Sequence, residues 1–332
     1  MMQLYDQFKR KIDYLRLSIT DRCNLRCIYC MPKEGLDFFP KEKIMTQDEI
    51  IQLVKNFAAM GITKVRLTGG EPLLRRDLPE IISRIREIPS IKDISITTNG
   101  TALEYQAQKL KLAGLDRLNI SLDTFDADTY RRMTRGGNIK HAMNGIRTAE
   151  KQNFKMIKIN TVIVHGENDQ EIPKFIDYTK DHDVNIRFIE YMPIGQEIDN
   201  WKQEYVPLTD ILTNCQKRGL EIKTIQLPGN GPAQNYKVTG YKGSIGLIHP
   251  ISNRFCDSCN RVRVTADGYV KACLYWNEEL NIRPAIYDFL KFKETVQKAL
   301  NNKPLNHEMA MTNTKQIISP APTWRHMSQI GG

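Results

Sequence analysis

Thr20-Asp-Arg-Cys-Asn-Leu-Arg-Cys-Ile-Tyr-Cys30 is the run from which the rest of the chain is read. Its cysteines, Cys23, Cys27 and Cys30, have the spacing C-x3-C-x2-C and follow directly on an alternating stretch, residues 12–19, that reads as a strand. Three thiols within eight residues can converge on one centre, because so short a loop can curl around an iron–sulfur cube. A cube has four irons and this run supplies three ligands. One iron is therefore left open to hold something else. A structural zinc site needs four ligands, commonly as paired C-x2-C knuckles, and no fourth is evident nearby.

Downstream of that run the apolar pattern switches repeatedly between period two and helical spacing. It predicts strands at 15–20, 64–68, 94–98, 117–122, 156–164 and 186–192, with helices at 47–60, 78–87, 104–113, 139–152 and 171–182. Thr46, with Glu49 three residues on, is a capping signal for the first helix, and Asn168-Asp169 for the fifth. Such alternation predicts an α/β fold with a parallel sheet. Six β/α units fall short of the eight that close a full barrel, so the expectation is an incomplete (β/α)6 TIM-like barrel. Its functional residues should collect at the C-terminal ends of the strands.

The rhythm breaks after Gly195. A helix is predicted at 207–217, then a Pro/Gly loop at 226–233, short strands at 236–238, 245–249, 261–265 and 269–272, and a helix at 287–300. The expected organisation is a core of residues 1–225 and an α+β region, 226–332, that covers the open side of the barrel.

Composition narrows the setting. The chain has 332 residues, 41% hydrophobic and 26% charged, as expected of an ordinary globular protein. No stretch approaches the roughly 18 apolar residues of a membrane span, and the start has no signal-like apolar region, so the expected location is cytoplasmic. A net charge of +10 points to an anionic partner. The basic residues are scattered rather than run together, which argues against a nucleic-acid tail. Seven cysteines, three at 23–30, three at 256–273 and Cys215 alone, suit two metal centres in a reducing compartment better than a disulfide framework. Cys215 reads as a structural or incidental thiol.

The second triad is Cys256-x2-Cys259-x13-Cys273. By itself it fits a zinc ribbon completed by Cys215 or a histidine such as His249 as well as it fits an iron–sulfur centre. Beside the first triad, a second three-ligand cluster is the stronger reading. On a strand, Arg261 and Arg263 point to one face and Val262 and Val264 to the other. Paired guanidiniums repel unless an anion sits between them, and Arg suits phosphate. Thr68-Gly69-Gly70-Glu71-Pro72 closes the second strand, and its glycines let backbone approach a ligand closely. No G-x4-G-K-[ST] run exists, so nucleotide binding is not of the P-loop type.

The first triad, with Tyr29 immediately before its last cysteine, resembles the radical S-adenosylmethionine (SAM) superfamily. That resemblance implies a [4Fe–4S] cluster whose open iron chelates SAM, and a 5′-deoxyadenosyl radical that abstracts hydrogen from substrate. With the runs at 16–27, 65–73, 97–100, 119–123, 188–193 and 255–263, nearly the whole chain is similar to the GTP-cyclising family of that superfamily. This implies that GTP is joined between C8 of guanine and C3′ of ribose, at the start of molybdenum-cofactor synthesis. It further implies a second [4Fe–4S] cluster on Cys256, Cys259 and Cys273 that meets guanine. GTP contacts would come from Arg16, Arg66, Thr97, Lys158, Arg261 and Arg263, and SAM contacts from Tyr29, Gly70, Ser121 and Met192. The same resemblance gives Arg16, Arg261, Arg263 and the terminal Gly331 and Gly332 catalytic roles, the two glycines reaching into the site. A one-electron reductant, a downstream cyclic pyranopterin monophosphate synthase and a homodimer belong to the same picture. The residues agree: Arg16 shares a strand face with Ser18, and Lys158 with Asn160, as a polar lumen requires. Two other readings are a peptide-modifying radical SAM enzyme with one auxiliary cluster, and a zinc-stabilised basic protein that binds RNA.

Overall fold

The computed structural model describes residues 3–194, 201–228, 231–307 and 322–331. The chain enters through a two-stranded ribbon, β1 (Leu4–Tyr5) and β2 (Lys11–Ile12). Periodicity could not signal it, because each arm is two residues long. Strands then alternate with helices, beginning with β3 (Tyr14–Ser18), α1 (Gln47–Ala59), β4 (Lys64–Thr68), α2 (Leu78–Arg86), β5 (Asp93–Thr98), α3 (Leu103–Leu112) and β6 (Arg117–Ser121). After them come α4 (Ala127–Met133), α5 (Ile139–Glu150), β7 (Met156–Ile163), α6 (Ile172–Tyr178) and β8 (Asn185–Glu190). The six expected β/α units are present.

The C-terminal part holds α7 (Trp201–Glu204), α8 (Asp210–Lys217), β9 (Ile222–Ile225), β10 (Gln234–Val238) and β11 (Ser244–Ile248). It continues with β12 (Arg261–Val264), β13 (Tyr269–Lys271), β14 (Leu280–Asn281), α9 (Phe289–Asn301) and α10 (Met327–Ile330). It does more than cover an open side. β12 joins β3 and β11 joins β8, both in parallel, so the extension lengthens the core sheet at its two edges. The 12-stranded order is β14-β13-β12-β3-β4-β5-β6-β7-β8-β11-β10-β9, with antiparallel arms outside a parallel centre.

Alternation decides which way each strand faces. Leu15, Leu17, Val65, Leu67, Ile94, Ile96, Leu118, Ile120, Ile159, Ile186 and Phe188 are fully buried in the larger hydrophobic core. Each such side chain contributes about 1.5–3 kcal/mol on burial. A one-residue slip would turn that whole row over, so register is strongly specified and the intervening polar residues are committed to the opposite face.

Thr46 caps α1 as its sequence signals: its hydroxyl accepts from Glu49 N at 3.3 Å, while Glu49 Oε2 accepts from Thr46 N at 2.7 Å. Asn168 does not cap α6. Its amide donates to Asp123 O at 2.7 Å and Val162 O at 2.8 Å, tying the loops after β6 and β7, and a short 3-10 turn precedes the helix.

Candidate active site

The loop after β3 carries the first triad. Arg26 N and Ile28 N donate to Thr134 O and Met133 O at 3.1 and 2.9 Å, which anchors it on the end of α4. The loop after β4 lies directly on it, with Gly70 N donating to Thr20 O and Glu71 N to Arg22 O at 2.8 and 2.7 Å. A Cβ at Gly69 would lie 2.1 Å from Thr20 O, and one at Gly70 would lie 2.2 Å from Arg22 O. Both glycines are therefore required for the approach of two backbones. Glu71 then turns inward and accepts from Thr98 Oγ1 and Asn99 N, both at 2.7 Å, while burial raises it to about 7. Tyr29 OH donates to Asp123 Oδ2 at 2.6 Å, and burial raises Asp123 to about 6.

Burial pushes the Cys23 thiol up to about 11 and the Cys30 thiol up to about 12; Cys27 is raised further by burial, Asp123 and its two sister thiols. Among the described residues no three Cys, His, Asp or Glu side chains are gathered to hold a single metal ion. A four-iron cube keeps its ligand sulfurs farther apart than one ion does. All three thiols line one cavity of about 250 Å³, and they are the donor set that such a cube takes.

The opposite wall of that cavity is cationic. Parallel register sets Arg263 beside Arg16 and Arg16 beside Arg66, on β12, β3 and β4. Neighbouring strands lie about 4.8 Å apart. At an effective dielectric of about 20, each adjacent pair of charges at that spacing repels by about 3 kcal/mol. Arg187 and Arg261 line the same space. Burial, then Arg263 and Arg66, disfavour the charged form of Arg16; burial and Arg261 lower Arg263 to about 9. Lys158 on β7 lies behind the wall, where burial, then Arg187, Arg117 and Arg66, bring it down to about 6. Arg66 Nε, Thr97 Oγ1 and Asn160 Oδ1 are buried without hydrogen-bond partners among the described residues. Such a row of buried like charges is costly, and an anion placed between them would offset the cost.

The second triad sits beyond the arginines. Cys256 opens a 3-10 turn, Cys259 precedes β12 and Cys273 follows β13. Burial raises the Cys256 thiol, and Cys273 and Cys259 add to it, so the three stand together. Burial pushes Cys259 up as well, but Arg261 and Lys303 more than offset this and bring it down to about 6. Neither candidate fourth zinc ligand stands with them. Cys215 is buried in the hydrophobic core on α8, and His249 faces Ser252 Oγ at 3.3 Å and Glu190 at 3.5 Å.

The tail comes back to the cavity. Gly331 O accepts from Arg263 Nη1 at 2.6 Å, and Met327 lines the wall. A backbone hydrogen bond from Ser328 to Cys30 places the same segment against the first triad. Gly332 lies outside the described residues. Arg325 anchors the approach, with Nη2 2.7 Å from Glu279 and 3.0 Å from Asp267.

Of the expected residues, Arg16, Cys23, Cys27, Tyr29, Cys30, Arg66, Gly70, Thr97, Ser121, Met192, Arg261 and Arg263 share the cavity wall. Lys158 and the second triad border it without lining it. Sequence reasoning missed Glu71 and Asp123 as polar anchors, Arg187, and the Gly231-Pro232 turn that closes one side. The detectable signal for Glu71 and Asp123 was their position just past the ends of parallel strands, and for Arg187 its place inside β8, two residues after Asn185 on the same face. Gly231 and Pro232 carried none, because linker composition gives no direction.

A family model described as the Radical SAM superfamily matches residues 17–179, and one described as Molybdenum Cofactor Synthesis C matches residues 184–309. Proteins called GTP 3′,8-cyclase from Limosilactobacillus fermentum and Lactiplantibacillus plantarum are 63% and 62% identical over 332 residues, covering 100% of each chain. One from Listeria welshimeri is 53% identical over the full length of both. Among solved structures, Streptococcus suis SuiB bound to precursor peptide SuiA superposes with a TM-score of 0.59 at 14% identity, over 96% of this chain and 76% of that one. Native anSMEcpe with bound AdoMet gives 0.51 at 16%, over 86% and 83%. These two likenesses speak to fold alone. The full-length identities reach further, and the chain belongs to the radical SAM superfamily, in the family whose members are called GTP 3′,8-cyclases.

Proposed function

We infer that this chain is a GTP 3′,8-cyclase, converting GTP to (8S)-3′,8-cyclo-7,8-dihydroguanosine 5′-triphosphate at the first step of molybdenum-cofactor synthesis. Relatives of that name over the full length support the activity. The observation that carries it in this chain is the in-register row Arg263–Arg16–Arg66, which lines the same cavity as the first cysteine triad, with the second triad at the ends of β12 and β13 next to it. A triphosphate supplies the several negative charges that such a row lacks.

The residues divide the work. Cys23, Cys27 and Cys30 hold the first four-iron cluster, and Tyr29, Gly70, Ser121 and Met192 border the place where SAM lies. Once bound, cluster and SAM supply the deoxyadenosyl radical, given one electron from an external donor. Arg16, Arg66, Arg261 and Arg263, with Lys158 behind them and Thr97 beside them, hold the triphosphate and ribose. Arg187 joins this set from the geometry. Cys256, Cys259 and Cys273 would hold the second cluster, whose open iron would supply a binding site for the guanine end, away from the arginines that hold the phosphates. The tail around Gly331 holds Arg263 through its carbonyl, which orients the guanidinium. On this reading residues 1–225 make the radical, and both they and residues 226–332 place its target. The product passes to a cyclic pyranopterin monophosphate synthase. The site residues named here come from one chain, so a homodimer would not have to share them. No helix among the described residues is long and apolar enough to cross a membrane.

Anaerobic reconstitution with iron and sulfide, then reductant, SAM and GTP, tests this. The expected result is about eight irons per chain, with 5′-deoxyadenosine and a cyclised GTP product formed together. Deoxyadenosine without loss of GTP would refute it. Zinc in place of iron, with salt-sensitive RNA binding, would favour the nucleic-acid reading instead.

A further inference from the structure

Lys303 follows α9 and is 2% exposed. Its Nζ donates to Arg261 O at 2.7 Å and to Cys259 Sγ at 3.4 Å. Burial disfavours its charged form most, Cys259 and Cys273 favour it, and Arg10 and Arg261 oppose it, with a net lowering; no carboxylate among the described residues pairs with it. Burying an ammonium costs several kcal/mol unless an anion meets it. Here the anions on offer are cysteine sulfurs.

Lys303 is also held in place. Gln7 Nε2 donates to Lys303 O at 2.7 Å. Arg10, clamped by Asp6 at 2.6 Å, donates to Pro304 O and Leu305 O at 2.8 Å and to Cys256 O at 2.9 Å. The turn between β1 and β2 therefore fastens the 303–305 segment and the second-triad loop in one grip. Among the described residues no lysine or arginine is recorded donating to a sulfur of the first triad. The charges facing Cys27 are Asp123 and its sister thiols, and the one facing Cys23 is Glu71.

We propose that Lys303 is a positioning residue of the second centre, whose N–H to the Cys259 sulfur and buried positive charge stabilise that centre's reduced form. The inference rests on the reading that Cys256, Cys259 and Cys273 hold a four-iron cluster. Hydrogen bonds to sulfur and local net charge are among the terms that set such a cluster's potential. Reduction adds a negative charge to the cluster, and a fixed cation beside it favours that state. The hydrogen bond to Arg261 O gives the same ammonium a hold on the strand that carries Arg261 and Arg263.

The test uses the full chain carrying Cys23→Ala, Cys27→Ala and Cys30→Ala, reconstituted so that only the second centre remains. Iron content and an EPR-monitored redox titration are compared for this parent and for parents that also carry Lys303→Met or Lys303→Arg. The expected result is about four irons in each. In the Met variant the reduced-to-oxidised ratio at fixed potential should fall about tenfold, a one-electron shift of about 59 mV. The Arg variant keeps charge and donor and should stay near the parent. Loss of iron from the Met variant alone would also support the role. Unchanged ratios with full iron, equal shifts in both variants, or equal iron loss in both would overturn it. A parent that takes up no four-iron cluster would overturn the second-centre reading itself, and the inference with it.

Discussion

Gly331→Ala tests how the tail completes the site. Gly331 has φ +67°, and a Cβ there would lie 2.3 Å from Thr68 Cγ2. Its carbonyl accepts from Arg263 at 2.6 Å. A left-handed L-residue costs about 1–2 kcal/mol. Moving the carbonyl off Arg263 forfeits a hydrogen bond to a charged group, about 1.5–3 kcal/mol. Together these give about 2.5–5 kcal/mol, which shifts docking of the tail by roughly two to nearly four powers of ten. Hydrogen exchange by mass spectrometry should show protection lost at residues 328–331, and GTP turnover should fall in parallel. Adding Thr68→Ser removes the methyl the new Cβ would strike and leaves the hydroxyl. The double variant should recover the Arg263 contact and retain only the backbone penalty, within about 30-fold of wild type. Unchanged exchange in Gly331→Ala, or no recovery in the double variant, would refute this account of the seat.

Other expectations follow from the cationic wall. Lys158, brought down to about 6 in the free protein chiefly by burial, is mostly neutral at pH 7.5. A triphosphate that neutralises Arg66 and Arg187 raises it, so binding should take up protons, and affinity should fall as pH rises from about 6. Calorimetry in two buffers of different ionisation enthalpy measures that uptake; Lys158→Met should abolish it, and equal uptake in both proteins would contradict the assignment. Because the folded value lies below the unfolded one of 10.5, the unfolded chain binds the extra proton between these limits, and Lys158 makes stability of the free protein rise with pH across that window. Arg66→Met relieves a repulsion of about 3 kcal/mol and gives up a cation–π contact with Tyr14 of about 0.5–1 kcal/mol. The nucleotide-free variant should melt a few degrees higher yet bind GTP more weakly; a lower melting temperature would show that the row is not strained.

Much of this arrangement was legible because it is periodic. The polar face was readable from Arg16 and Ser18 or Lys158 and Asn160 alternating with Leu15, Leu17, Ile157 and Ile159, since a strand must put them on opposite sides. Both cysteine groups were readable from spacing. What periodicity could not supply was which strands become neighbours. That Arg263 stands beside Arg16 depends on β12 joining β3 in parallel across more than 200 residues. No local signal encodes such a pairing. The same holds for Lys303, an unremarkable residue after a helix until folding puts its ammonium on Cys259. Gly69 and Gly70 were read as room for a ligand, and the structure adds a separate reason, the carbonyls of Thr20 and Arg22. Asn168 misled because an Asn before a helix has several backbone groups within reach, and here the loops of β6 and β7 claimed it.

The central claim is a division of labour, in which the first triad makes the radical and the second places its target. Reconstituted Cys256→Ala, assayed anaerobically with reductant, SAM and GTP, addresses it most directly by counting 5′-deoxyadenosine and cyclised product in one reaction. Deoxyadenosine formation largely kept, with no cyclised product, is the predicted result. Equal loss of both would contradict separate roles for the two triads.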